Sequence, residues 1–302
     1  MQRSLLQRGS QPAFLAVANR DFAVSEKALR TRMKSVNSIR KITKAMKMVS
    51  ASKMKADLRR LSDGKEYGVN AVDMIFKSDQ FMQRKMPQEV AEPRTMLVPI
   101  TSDKGLCGAT NSSIVREIKK IVTPDTRSRY QIFSIGDKGS AGLVRPFPDL
   151  LTSSISQIGT PYNYPTVMSM DVNIAAQTRD HDKIVIIYNE FKSAISSVVR
   201  HMELMPQRRF LESMQFGKLY NQTLPDKNTS NPALYELYLT ANLWVAFLNN
   251  AASEQSARMN AMENASKNAK EILEKLTLQY NNARQARITM ELVEIISGAS
   301  AL

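Results

Sequence analysis

Cys107 stands between Gly105 and Gly108 in SDKGLCGATNSS (102–113), just after an apolar run, and a thiol so placed invites a test for nucleophilic chemistry. A strained nucleophile turn needs glycine two residues to either side, whereas the order here is Gly-Leu-Cys-Gly. The thiol would also need a base, and only His181 and His201 carry imidazoles, neither near Cys107 in sequence. A small buried thiol in a tight turn is the expectation. Phosphate chemistry fares no better. The same stretch has the strand–turn–helix layout of a nucleotide loop, but no Gly-Lys in the chain is followed by Ser or Thr. GDKGSAG (136–142) misses both the phosphate-loop and the dinucleotide spacing. One cysteine and two separated histidines make no recognisable zinc set. No catalytic, cofactor-binding or metal-binding residue is therefore assigned, and the methionines of the long helices read as packing.

The elements around this turn explain its place. TMLVPIT (95–101), YQIFSIG (130–136) and KIVIIYNEF (183–191) read as buried strands, AISSVVRHMEL (194–204) as a fourth, and NSSIVREIKKIV (111–122) as a helix. Their alternation implies a small α/β domain, 91–216, with a mostly parallel sheet. Long helices flank it. From Ser25 to Asp63 there is neither Gly nor Pro, and Ser25-Glu26 supplies a cap and a favourable charge for a helix start. Leu29, Met33, Val36, Ile39, Ile42, Met46, Val49 and Ala56 make a stripe at steps of three and four. Gly64 and Gly68 mark a break before helical character resumes to about Lys85.

Between Pro232 and Gly298 lie sixty-five residues without Gly or Pro, roughly 95–100 Å of helix. Leu234, Leu237, Ala241, Leu248, Ala252, Gln255, Met259, Met262, Ala269, Leu273, Leu276, Tyr280 and Ala283 repeat along it as a heptad-like seam. A helix of that length needs a partner, and the N-terminal one is the candidate within the chain. The expected organisation is 23–90 as the N-terminal coiled-coil helix, the α/β domain, a linker at 217–232, and 233–302 as the C-terminal coiled-coil helix.

Charge is unevenly distributed. Of a net +14, an excess of ten falls in residues 25–60, which hold twelve Lys or Arg against Glu26 and Asp57. Such localised basicity suits one acidic partner surface. Nucleic acid is a poor fit, because that segment lacks aromatic side chains for stacking. The lone cysteine cannot form an intramolecular disulfide. No apolar run reaches the ~18–20 residues that cross a bilayer, so any link to a membrane comes through partners. Residues 1–22, with Arg3, Arg8 and Arg20 and no acid before Asp21, read as a mitochondrial transit peptide cleaved after Phe22; the alternative is a basic tail. Residues 295–302 carry no charged side chain.

SVNSIRKITKAMKMVSASKMKA (35–56), ITSDKGLCGATNSSI (100–114), IGDKG (135–139) and the run from Ser253 to Leu302 together resemble the gamma subunits of the rotary ATP synthase. The resemblance covers nearly the whole mature chain and implies a central rotor shaft with no active site and no cofactor of its own. The shaft couples rotation of a membrane c ring to the catalytic sites on beta subunits of a proton-transporting synthase. Its two long helices turn inside a ring of alpha and beta subunits. Its α/β domain forms the foot that meets the delta and epsilon subunits and the c ring, on the matrix side of the mitochondrial inner membrane. By position, Arg284 and Gln285 match the pair that hydrogen-bonds a loop of one beta subunit, and Lys104 the cation facing an acidic beta loop. Met46 lies near that contact, and Ile295, Ile296 and Leu302 ride in an apolar sleeve. Arg287 departs from the family pattern, which has a small or apolar residue there. The rival reading is a nucleotide- or metabolite-binding α/β protein whose helices are dimerisation arms.

Overall fold

The computed structural model describes residues 26–67, 82–84, 92–216 and 227–300. The transit-peptide reading of 1–22, the second glycine of the expected break (Gly68) and Leu302 lie outside them. The elements, in chain order, are α1 (Glu26–Lys65), β1 (Met82–Arg84), β2 (Thr95–Pro99), α2 (Thr110–Ile121), β3 (Tyr130–Ile135), α3 (Asp137–Val144) and β4 (Leu151–Ile155). They continue with α4 (Tyr164–Gln177), β5 (Lys183–Phe191), β6 (Ser197–Leu204), α5 (Gln207–Ser213), β7 (Met214–Phe216) and α6 (Lys227–Ser300). The chain divides into two compact units, one of Lys44–Asn264 and one made by the segments up to Thr43 and from Ala265. The division cuts both long helices, not the sequence boundaries expected at 90/91 and 216/217.

In the larger unit the apolar runs form a sheet of order β4-β3-β2-β5-β6. β2 pairs in parallel with β3 and β5, and β3 with β4. β6 returns antiparallel to β5, starting at Ser197 and not at 194. Alternate side chains of the parallel strands enter two cores. Leu97, Ile132, Val185 and Ile187 pack under α2 and α3 with Ile114, Ile118 and Leu143. Met96, Val98, Phe133, Ile184 and Ile186 pack under α4 and α6 with Val167, Met170, Ile174, Tyr235, Leu239 and Phe247. The mostly parallel sheet expected from the sequence is present. Strand β4, not foreseen, is an edge strand whose LTSSI alternates partly buried and exposed residues. β1 and β7 form a separate antiparallel pair.

Helix α1 departs from its apolar stripe. Thr43 and Ser50 are buried, whereas Ile39, Ile42 and Val49 are more than half exposed. Small residues let helix backbones approach, and the Thr43 hydroxyl spends its donor on the Ile39 carbonyl at 3.0 Å. Gly64 is not a break. It lies within α1, where a Cβ would come to 2.3 Å of the Leu248 Cδ1 and 3.2 Å of the Trp244 Nε1. Its contact with Leu248 and the Lys47–Glu263 ion pair at 3.1 Å make α1 and α6 antiparallel within this unit. The stretch read as linker is shortened as well, since α6 begins at Lys227 and carries Pro232 inside it.

Candidate functional site

The chain runs outward from β2 to β3 and β4, then crosses back to β5 on the other side of β2. Ligands of open parallel sheets bind at such a reversal, in the crevice beyond the carboxyl ends of the strands. Here α6 fills that place. The Asn250 Oδ1 accepts from the Asn189 Nδ2 at 2.9 Å and from the Asn189 backbone N–H at 3.4 Å, and the Ser253 hydroxyl donates to the Asn189 carbonyl at 3.1 Å. The Asn249 Oδ1 accepts from the Phe191 N–H at 3.4 Å, and the Ser256 hydroxyl donates to the Ala194 carbonyl at 2.6 Å. Residues 245–256 of α6 are buried on every face, beyond the single seam expected. Their polar side chains are tolerated there because they are paired.

The loop after β2 is built with equal care. The Asp103 carboxylate accepts from the Asp137 N–H at 3.0 Å and from the Ile158 N–H at 2.8 Å, tying together the loops that follow β2, β3 and β4. Gly136, at φ +98°, is required where the chain crosses Thr101, since a Cβ there would sit 2.3 Å from the Thr101 carbonyl oxygen. Within this frame Lys104 is exposed, and Leu106 takes a left-handed φ of 63° with 62% of its surface exposed. The Cys107 sulfur is buried beside the Asn111 Nδ2 at 3.2 Å, the Ser102 hydroxyl at 3.7 Å and the Lys104 carbonyl at 3.8 Å. His181 is buried, and burial pushes its imidazole below its ordinary pKa. His201 lies on β6 with its Nε2 3.6 Å from Glu117. Cys107→Ser is accordingly expected to leave turnover of the assembled complex unchanged and to cost no more than about 1 kcal/mol, because Asn111 and Ser102 already offer a hydroxyl partners. Thermal unfolding and turnover assays check this, and loss of activity in a folded variant would point to thiol chemistry.

The remaining expected contact residues fall in both units. Arg284, Gln285, Ile295 and Ile296 follow one another along the smaller unit's part of α6, all exposed, the last two by 67% and 66%. Met46, half-buried on α1, and Lys104 belong to the larger unit on different elements. Arg287 does not add a free charge. Its guanidinium pairs with Glu26 at 2.9 Å and Glu291 at 2.8 Å, and the Tyr280 hydroxyl also donates to Glu26 at 2.9 Å. These donors hold the Glu26 carboxyl below its ordinary pKa, Tyr280 most of all. Asp103, Leu106 and Arg258 are residues that the sequence reading passed over. The available signal for Arg258 was a lone arginine in the small-residue run AASEQSAR, four residues after Glu254. Among the described residues no group of three or more His, Cys, Asp or Glu could hold a metal ion, and no helix is long and apolar enough to cross a membrane.

The ATP synthase family model matches residues 25–302. The chain is 34% identical to the mitochondrial ATP synthase F(1) complex subunit gamma of Dictyostelium discoideum, over 94% of each chain. It is 35% identical to the mitochondrial ATP synthase subunit gamma of Drosophila melanogaster, over 100% of this chain and 99% of that one. Among solved structures it resembles a chain of the central stalk and c ring of the Tetrahymena thermophila mitochondrial ATP synthase, at 44% identity and TM-score 0.64, covering 74% of this chain and 99% of that chain. A chain of the Euglena gracilis mitochondrial enzyme shares the fold at TM-score 0.75 and 21% identity, over 91% and 94% of the two chains.

Proposed function

The chain belongs to the gamma-subunit family of the mitochondrial ATP synthase, and from that premise we propose how it does its work as the central rotor of that enzyme. It is a non-catalytic subunit. The alpha and beta subunits surround its long helices, the delta and epsilon subunits and the c ring meet its α/β body, and the assembly stands on the matrix side of the inner membrane. Proton flow through the membrane sector turns the c ring, and the shaft carries that rotation to the catalytic sites on beta. Residues 1–22 direct the chain to the mitochondrion and are removed.

The observation that supports this reading best is the occupation of the sheet's ligand crevice by α6. A doubly wound domain that bonds its own helix across the end of a central strand, through Asn249, Asn250, Ser253 and Ser256, is a mount for that helix. Arg284 and Gln285 form a polar catch on one beta subunit, Lys104 and Met46 serve a second contact to an acidic beta loop, and Ile295, Ile296 and Leu302 turn in an apolar sleeve. An uncharged tip has no fixed ion pairs to break as it turns.

Truncating a charged, partly desolvated contact costs on the order of 2–5 kcal/mol. Arg284→Ala combined with Gln285→Ala should therefore lower coupled ATP synthesis by tenfold or more while the complex still assembles. Synthesis measured in reconstituted vesicles decides, and an unimpaired double variant rejects the catch.

A further inference from the structure

The loop bearing Lys104 and Leu106 is held from behind by one side chain of α6. Arg258 is 8% exposed, and its Nη2 meets the Glu254 Oε1 at 2.5 Å. The rest of the guanidinium turns to main chain. Nε and Nη2 donate to the Gly105 carbonyl at 3.4 and 3.3 Å, and Nη2 reaches the Lys104 carbonyl at 3.5 Å. Nη1 donates to the Gln255 Oε1 at 3.3 Å. The Ser102 hydroxyl meets the same Lys104 carbonyl at 2.7 Å, and Asp103 ties the other side of the loop to Asp137 and Ile158.

We propose that Arg258 is a positioning residue: its forked guanidinium fixes the 104–106 loop to α6, so that Lys104 moves with the helix as one body. A buried ion pair is a poor source of stability, because removing two charges from water costs about what their attraction returns. Neutralising Glu254 alone would need only a point charge, which lysine supplies. The planar fork is what lets one side chain pair with a carboxylate and also donate to carbonyls on a different element. Burial pushes the Glu254 carboxyl up, and Arg258 is the group that most opposes this. The pair therefore holds the arginine in place, and its remaining donors point at the loop. Only the effect on turnover rests on Lys104 being a partner contact; the clamp itself does not.

The test uses the assembled complex, with a spin label on Leu106→Cys in a Cys107→Ser background. Arg258→Gln and Arg258→Lys should both convert a restricted label spectrum into a mobile one. Both should lower coupled ATP synthesis by a factor of roughly 2 to 30, the range typical of a single coupling residue. In a Lys104→Ala background Arg258→Gln should add almost nothing to the loss. Arg258→Lys retains the charge beside Glu254, so it carries the test if the Gln variant does not fold. Restoration of both label restriction and turnover by Arg258→Lys overturns the proposal, since charge neutralisation would then suffice. An equal effect of Arg258→Gln with and without Lys104 overturns it too. If Lys104→Ala leaves turnover unchanged while Arg258→Gln still frees the label, the clamp stands and the assignment of Lys104 to a partner fails.

Discussion

Leu276→Asp should destabilise the chain by on the order of 4 kcal/mol or more, and abolish rotation-coupled synthesis in the assembled complex. Leu276 is 4% exposed in the smaller unit, whose described residues are the two helical segments ending at Thr43 and beginning at Ala265. Among the described residues of that unit Leu29 and Ala269 are the other buried apolar side chains. Removing the leucine leaves a void, which costs about 2–5 kcal/mol by itself. The carboxylate adds a charge with no cation designed to meet it. Leu278 is the control, because two residues on along the same helix it is 65% exposed. Leu278→Asp should stay within about 0.5 kcal/mol of the parent. Unfolding of the purified full chain, followed by far-ultraviolet circular dichroism, compares them. Equal losses at both positions would mean that the seam does not hold the helices together.

The parts legible in the sequence are those where hydrophobicity alone decides. TMLVP, YQIFSI and KIVIIYNEF announce buried parallel strands because both faces of the sheet are covered, so their side chains run apolar without alternation. LTSSI hides a strand because it is an edge, where Ser and Thr are adequate. Helix α4 buries Asp171 beside Val167, Met170 and Ile174 while exposing Met168 and Val172, so its apolar residues do not mark one face. The seam of α1 was misplaced for a related reason. Close helix approach selects Thr43, Ser50 and Gly64 for their size, and a search for large apolar residues finds Ile39, Ile42 and Val49, which are more than half exposed. At the site, Lys104 and Arg284 were nameable through resemblance, but Asp103 and Arg258 act through main-chain groups distant in sequence. Those distances exist only once the chain has folded.

Asp171→Asn is expected to remove a fall in stability that the parent shows between about pH 4 and pH 7, and to gain on the order of 4 kcal/mol above that range. Asp171 is 1% exposed on α4. The Thr240 hydroxyl of α6 donates to its Oδ2 at 2.5 Å, while its Oδ1 has no hydrogen-bond partner among the described residues. Burial pushes the carboxyl up to about 7; the Thr240 hydroxyl opposes this and the Glu236 carboxylate adds to it. Below about pH 4 folded and unfolded chains both carry the proton, and the group costs nothing. As the pH rises, the unfolded chain ionises first while the folded chain keeps its proton, so stability is lost steadily until the folded group also ionises near 7. Asparagine retains an acceptor for Thr240 and never ionises. Other groups titrate in the same range, with Glu26 and Glu190 held low and Glu254 held high. They are common to both proteins and cancel in the difference. Denaturant unfolding of parent and variant at pH 5, 6, 7 and 8 therefore isolates the one carboxyl. Parallel stability curves for the two would show that Asp171 ionises at an ordinary pKa and that its burial carries no electrostatic cost.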